Sequence, residues 1–105
     1  MHRGEIWRAE LDSPIGRRPV LLLSRNSAYE VRTSITIAPI TRTIRDIPSY
    51  VKLDQKDGMP VQCAVDLDDI ATVPKERLTE KITELSPDRM QDILHAITYA
   101  LDLKV

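Results

Sequence analysis

Apolar and polar residues alternate or cluster in short stretches along most of the chain, and the period changes only after Ser86. Gly4 to Leu11 alternates, which predicts a strand with Trp7, Ala9 and Leu11 on one face and Ile6, Arg8 and Glu10 on the other. Asp12 to Gly16, with Ser13 and Pro14, reads as a turn. Pro19 to Ser24 is apolar on both faces and suits a central strand, with Arg17 and Arg18 where the turn meets it. Ser34 to Thr41 is rich in β-branched residues and predicts a third strand. Pro39 lacks an N–H to donate, so this strand is expected at an edge or bulged near its end, and a bulge would reset the facing of Thr41. Tyr50 to Leu53 reads as a short fourth strand, ended by the turn Asp57-Gly58. Val61 to Asp68 alternates cleanly, with Val61, Cys63, Val65 and Leu67 inward and Gln62, Ala64, Asp66 and Asp68 outward.

From Ser86 the spacing becomes helical. Ser86 is a good N-cap, Pro87 fits the first helical position and Asp88 complements the helix dipole. Met90, Ile93, Leu94, Ile97 and Leu101 form one apolar stripe. About five short strands and one terminal helix predict a mainly β fold with a C-terminal helix, closed most simply as a small, strongly bent barrel.

A chain of 105 residues and 12.0 kDa predicts a single domain over residues 1–105. Hydrophobic content of 42%, charged content of 30% and a net charge of −1 exclude a disordered tail and an overall-basic nucleic-acid binder. That average hides two unlike halves. Residues 1–50 carry eight Arg, no Lys and five acids, whereas residues 51–105 carry seven bases and eleven acids. Guanidinium forks match phosphate or carboxylate in two-point contact, so an Arg-only half points toward oxyanion recognition, with codon bias the competing explanation. Cys63 is the only cysteine, which excludes an internal disulfide. Val20 to Leu23 is the longest wholly apolar run, far short of the roughly 20 residues that span a bilayer, and the start resembles no signal peptide. A cytoplasmic protein without membrane contact is the expectation.

Familiar catalytic signatures are missing from the sequence: it has no Walker loop, no zinc-type Cys/His spacing and no G-x-S-x-G elbow. His2 and His95, the only histidines, lie in a terminal segment and on the helix, which disfavours a paired-histidine mechanism. Asp66, Asp68 and Asp69 are the densest acid group. Asp66 and Asp68 would share one strand face roughly 6–7 Å apart, solvated or paired with Arg. Cys63, on the apolar side of its strand, reads as a buried structural thiol. Trp7, Tyr29, Tyr50 and Tyr99 are the only aromatics, and Trp7 falls on the core face. Single-strand binding through several stacked rings is therefore not expected, and RNA contact would rest on hydrogen bonds and Arg.

Several ordered motifs nevertheless resemble the MazF/PemK family of toxin–antitoxin ribonucleases. They are Arg3-Gly4-Glu5-Ile6-Trp7, Gly16-Arg17-Arg18-Pro19-Val20-Leu21, Ile37-Ala38-Pro39-Ile40-Thr41, Asp68-Asp69-Ile70-Ala71-Thr72-Val73, Arg77-Leu78, and Leu85-Ser86-Pro87 with Met90. Together they cover almost the whole chain. The resemblance implies a CcdB/MazF-type, SH3-like barrel with a C-terminal helix, a homodimer, and cofactor-free, metal-independent cleavage of single-stranded RNA. It also implies a cognate antitoxin whose tail occupies the dimer groove, with DNA reached only indirectly through that complex.

By the same resemblance Arg18 and Thr41 match the family's catalytic Arg and Thr, and Asp68 falls in a segment that contacts substrate. Metal-free cleavage uses the RNA's own 2′-hydroxyl, so the protein must orient that attack and stabilise charge growing on the phosphate. Arg18 suits the electrostatic task, Thr41 would hydrogen-bond the phosphate, and Asp68 is the candidate proton acceptor. Arg17, Arg42 and Arg45 would line the RNA path with Asp69, while much of the negative half lies on the helix and outer face. Two departures stand out. The loop from Asp12 to Arg17 is short, and Asp68-Asp69-Ile70-Ala71-Thr72 stands where relatives have Glu-Gln-Ile-Arg-Thr. The competing readings are a non-nucleolytic, gyrase-binding toxin of the same fold and an inactive binding module.

Overall fold

The computed structural model describes residues 1–104. Its strands are β1 (Glu5–Glu10), β2 (Arg17–Leu22), β3 (Ser34–Thr41), β4 (Tyr50–Leu53), β5 (Cys63–Asp66), β6 (Ala71–Pro74) and β7 (Leu78–Glu84). A short helix α1 (Ala28–Val31) follows β2, and α2 (Pro87–Ala100) ends the fold. All ladders are antiparallel, in the order β4-β5-β3-β2-β1-β7, with β6 paired to β3. The mainly β fold with a C-terminal helix is as expected, and the sheet is a bent, open one. Seven strands replace the expected five. β6 and β7 escaped the pattern because they carry little apolar signal. β7 is rich in Thr, Glu and Lys, the composition of an exposed edge strand.

Side-chain alternation sorts the sheet into two cores. Ile6, Leu21, Ala38, Ile40, Val51 and Val65 point to one face, where Ile93 and Ala96 of α2 cover them. Ala9, Val20, Leu22, Ile35 and Ile37 point to the other, against Tyr29, Val73 and Leu78, with Trp7 and Leu11 packed alongside. β1 therefore buries both Ile6 and Ala9, each in a different core. The helix is rotated from the expected stripe: Leu94 and Leu101 are exposed, while Ala96 is buried and Ala100 packs against the first core. Small alanines allow α2 to approach the sheet closely, and the bulkier leucines are turned outward.

Two further expectations are corrected. β3 is central, not an edge strand. It pairs with β2 along one side, and along the other with β6 up to Ile37 and with β5 from Ile40. Leu23 N–H donates to Thr36 C=O, so by alternation Ala38 bonds toward β2 and Pro39 faces away from it. The missing N–H thus falls in the gap where β3 exchanges partners. The Val61 to Asp68 strand is also shorter than expected. Val61 and Gln62 are exposed outside β5, all four β5 residues are buried between β3 and β4, and Leu67–Asp69 turns into a 3-10 helix.

Two polar clamps hold the ends. Glu5 is 5% exposed. Its carboxylate accepts from Trp7 Nε1 at 2.9 Å and His2 N at 3.1 Å, and pairs with Lys81 Nζ at 3.2 Å. Burial opposes its ionisation, but these donors outweigh burial and lower the pKa to about 2. Arg89 of α2 donates to Asp57 Oδ1 at 2.9 Å, to Asp92 Oδ2 at 2.7 Å and to the Lys52 carbonyl. It thereby ties the helix to β4 and to the 3-10 turn Gln55–Asp57, which ends at Gly58 with φ +91°. Among the described residues, no helix is long and apolar enough to cross a membrane.

Because the folded-state pKa of Glu5 is depressed, its stabilisation is present above its ordinary value of 4.5 and is lost as pH falls toward 2. Thermal melts followed by Trp7 fluorescence are expected to lose stability over that window, and the difference between wild type and Glu5→Gln is expected to shrink with it. Arg89→Ala removes charge-assisted bonds to a largely shielded Asp57 and is expected to cost about 1–3 kcal/mol in urea unfolding.

Candidate active site

Beyond the exchange point on β3, the second face opens into a cleft of about 960 Å³. Ile37, Pro39 and Thr41 line it in succession, so no bulge resets the facing of Thr41. The β2–β3 register pairs Val20 with Pro39, and its continuation by two residues sets Arg18 beside Thr41. A second cavity of about 480 Å³ lies on the far side of this pair, and Arg18 and Thr41 border both. With Thr43, which also borders both, the two residues form the ridge between neighbouring hollows.

Arg18 is half-buried. Its Nη2 donates to the Ile15 carbonyl at 3.4 Å, and its Nε, shielded from solvent, has no hydrogen-bond partner among the described residues. An unpartnered buried donor costs stability, and the Arg18 side chain borders both cavities, where an oxyanion can reach its guanidinium. Thr41 Oγ1 accepts from Thr43 N at 3.0 Å, which orients the hydroxyl and leaves its hydrogen for a ligand.

The other expected site residues divide between the hollows. Arg45, Asp68 and Asp69 line the large cleft; Arg17 and Arg42 line the smaller cavity. Arg17 Nη2 lies 3.0 Å from Glu10 Oε1, an exposed pair of small energetic weight. Asp66 and Asp68 do not share a strand face. Asp66 ends β5 and caps the following 3-10 turn, accepting from Asp68 N at 2.9 Å, while Asp68 Oδ2 accepts from the buried Ser49 hydroxyl at 2.7 Å. The expected placement of negative charge is also corrected in part, because three Asp side chains lie in the cleft itself. No group of three or more His, Cys, Asp or Glu side chains is arranged to hold a metal ion among the described residues.

The lining residues not singled out as site residues from the sequence include Tyr50 and the buried Asp66. Burial pushes the Asp66 carboxyl above the usual carboxylate range and the neighbouring Asp69 adds to the rise, against the Asp68 N–H and the Tyr50 hydroxyl beside it. Burial and the Asp66 charge likewise raise the Tyr50 phenol. The outward parity of Asp66 on β5 was the one signal available. Tyr50 gave none, because only the β4–β5 ladder sets it opposite Asp66. Cys63 is buried, as expected.

Residues 2–101 match the family model described as PemK-like, MazF-like toxin of type II toxin-antitoxin system. The chain belongs to the PemK/MazF toxin family. It is 39% identical over 101 residues to a Mycobacterium tuberculosis protein named probable endoribonuclease MazF5, covering 95% of this chain and 92% of that one. Among solved structures it resembles the M. tuberculosis toxin MazF-mt6, with a TM-score of 0.88 and 33% identity over 96% of this chain and 99% of that one. It also resembles a mycobacterial endoribonuclease in complex with its cognate antitoxin, with a TM-score of 0.87 and 28% identity over 100% of this chain and 98% of that one. The shared fold therefore extends over nearly the whole chain.

The raised Asp66 pKa means that ionising this group costs stability once pH exceeds the ordinary Asp value of 3.8. Asp66→Asn is expected to raise the melting temperature at pH 7, with the gain fading below about pH 4. An unchanged or lower midpoint at pH 7 contradicts this account of the site.

Proposed function

We propose that this chain is the endoribonuclease toxin of a type II toxin–antitoxin pair and cleaves single-stranded RNA without a metal or cofactor. The observation that carries this reading is the Arg18–Thr41 ridge, with its unpartnered Arg18 Nε, in a chain of the PemK/MazF family.

The chemistry follows from what each group can do. A phosphate on the ridge accepts hydrogen bonds from the Arg18 guanidinium and the Thr41 hydroxyl. The adjacent 2′-hydroxyl of the RNA attacks phosphorus and loses its proton, the bond to the 5′-oxygen breaks, and that oxygen takes up a proton. The products are a 2′,3′-cyclic phosphate and a 5′-hydroxyl. Arg18 stabilises charge on the phosphoryl oxygens as it grows, since a guanidinium is a poor base. Asp68, held by Ser49 at the cleft wall, is the proposed proton acceptor. Arg17, Arg42, Arg45 and Asp69 would flank the strand on either side of the ridge.

In this reading the protein is one cytoplasmic toxin domain acting as a homodimer. The antitoxin tail occupies the dimer groove, and DNA is contacted only through the antitoxin complex. The neighbour that was solved with its cognate antitoxin supports the partnership.

Purified protein is expected to cut a mixed-sequence single-stranded RNA in EDTA. Arg18→Ala and Thr41→Ala, each with its fold retained, are expected to lower kcat/KM by about 100-fold or more. Normal cutting by both variants overturns the site, and intact RNA with wild type overturns the activity. Several arginines already face carboxylates, so fewer than about six phosphates should be neutralised, and the slope of log affinity against log salt should stay below about 4 in magnitude.

A further inference from the structure

The residue row next to the Arg18–Thr41 pair has the makings of a base-binding slot. The β4–β5 ladder places Tyr50 opposite Asp66, and Pro39 sits on the other side of β5, on β3 just before the Ile40↔Val65 pair. All three line the large cleft. The Asp66 carboxyl is therefore flanked by a half-buried phenol ring and a proline ring, both apolar walls, and is itself only 5% exposed. An unstacked nucleobase needs that combination: a flat surface for its face and a fixed hydrogen-bonding group for its edge. The row lies two residues along the strands from Arg18 and Thr41, about 7 Å. That offset lets one nucleotide set its phosphate on the ridge and its base in the slot.

We propose that Tyr50, Pro39 and Asp66 hold one base of the RNA, and that Asp66 selects a base with adjacent hydrogen donors, favouring guanine over uracil. The proposal rests on the reading of the ridge as the phosphate site. One Asp66 oxygen accepts the Asp68 N–H, which fixes the carboxyl, and the Tyr50 hydroxyl and the Asp69 carboxyl lie against it, so the donors of a bound base would take the place of these contacts. Guanine presents N1–H and N2–H side by side to such a group. Uracil presents a single N3–H between two carbonyl oxygens, which the carboxylate repels. The Tyr50 ring supplies the stacking surface, so this site uses one aromatic where broad single-strand binders use several.

Binding can be separated from cleavage with fully 2′-O-methylated pentanucleotides, which lack the attacking hydroxyl. A single guanine is moved through the five positions of an oligouridine, and affinity is read by fluorescence anisotropy on the full chain. Wild type is expected to bind at least one guanine-containing pentamer about 10-fold more tightly than pentauridine, the discrimination typical of one good two-point base contact. Asp66→Asn and Tyr50→Leu are each expected to abolish most of that preference, whereas Tyr50→Phe, which retains the ring, keeps it. Melting curves report that each variant is folded. Equal affinity of wild type for guanine and uracil pentamers overturns the proposal, as does a preference that survives Asp66→Asn. Normal RNA cleavage by Arg18→Ala would instead overturn the phosphate site, a separate result from the base preference measured here.

Discussion

β3 has three neighbours, two of them following one another along a single edge, and the architecture follows from how it accommodates them. It pairs with β2 through Ile37 to Pro39 on one side, and on the other with β6 up to Ile37 and with β5 from Ile40, so that the exchange takes place around Pro39. Proline is tolerated there because the position faces no ladder partner on its free side. The sheet bends at this point, since β6 and β5 leave the same edge in different directions. One face closes under α2, and the other is filled at one end by Ile35, Ile37, Val73 and Leu78 but left open at the other. The cleft is thus a product of strand pairing, not a gap between domains.

Placing the site where the ladders end has a physical logic. Arg18 stands at the start of β2 and Thr41 at the end of β3, so both project from rigid backbone into a space the second core does not fill. The same space holds Arg18 Nε, which is buried without a hydrogen-bond partner among the described residues, and the buried Asp66. Elsewhere polar groups are well matched: Glu5 is surrounded by donors, and Arg89 is shared among Asp57, Asp92 and a carbonyl. Stability is concentrated in the clamps at the chain ends, and unsatisfied charge is concentrated in the cleft, as expected where binding groups are held ready for a ligand.

The charge asymmetry of the sequence takes on a different meaning in three dimensions. The Arg-rich half does supply the ridge and its flanks through Arg17, Arg18, Arg42 and Arg45. The acidic half is not simply turned away: Asp66, Asp68 and Asp69 line the same cleft as Arg18 and Arg45. The cleft thus carries groups suited to phosphates and groups suited to hydrogen donors, which an overall charge of −1 conceals.

Much of this was legible in the order of residues. Apolar patterning and β-branched content located β1 to β4 within a residue or two, the Ser86-Pro87 signal marked the start of α2, and the ordered motifs led to the family. Local chemistry accounts for these successes, because strand parity, capping and turn preference depend on neighbours a few residues away. The polar edge strand β7, the central place of β3, the outward turn of Leu94 and Leu101, and the meeting of Tyr50 with Asp66 were not legible. Each depends on which distant strand or helix lies alongside, a matter of register and packing that no local pattern encodes. The sequence by itself determined which residues could do the chemistry; tertiary pairing alone decided which of them share a cleft.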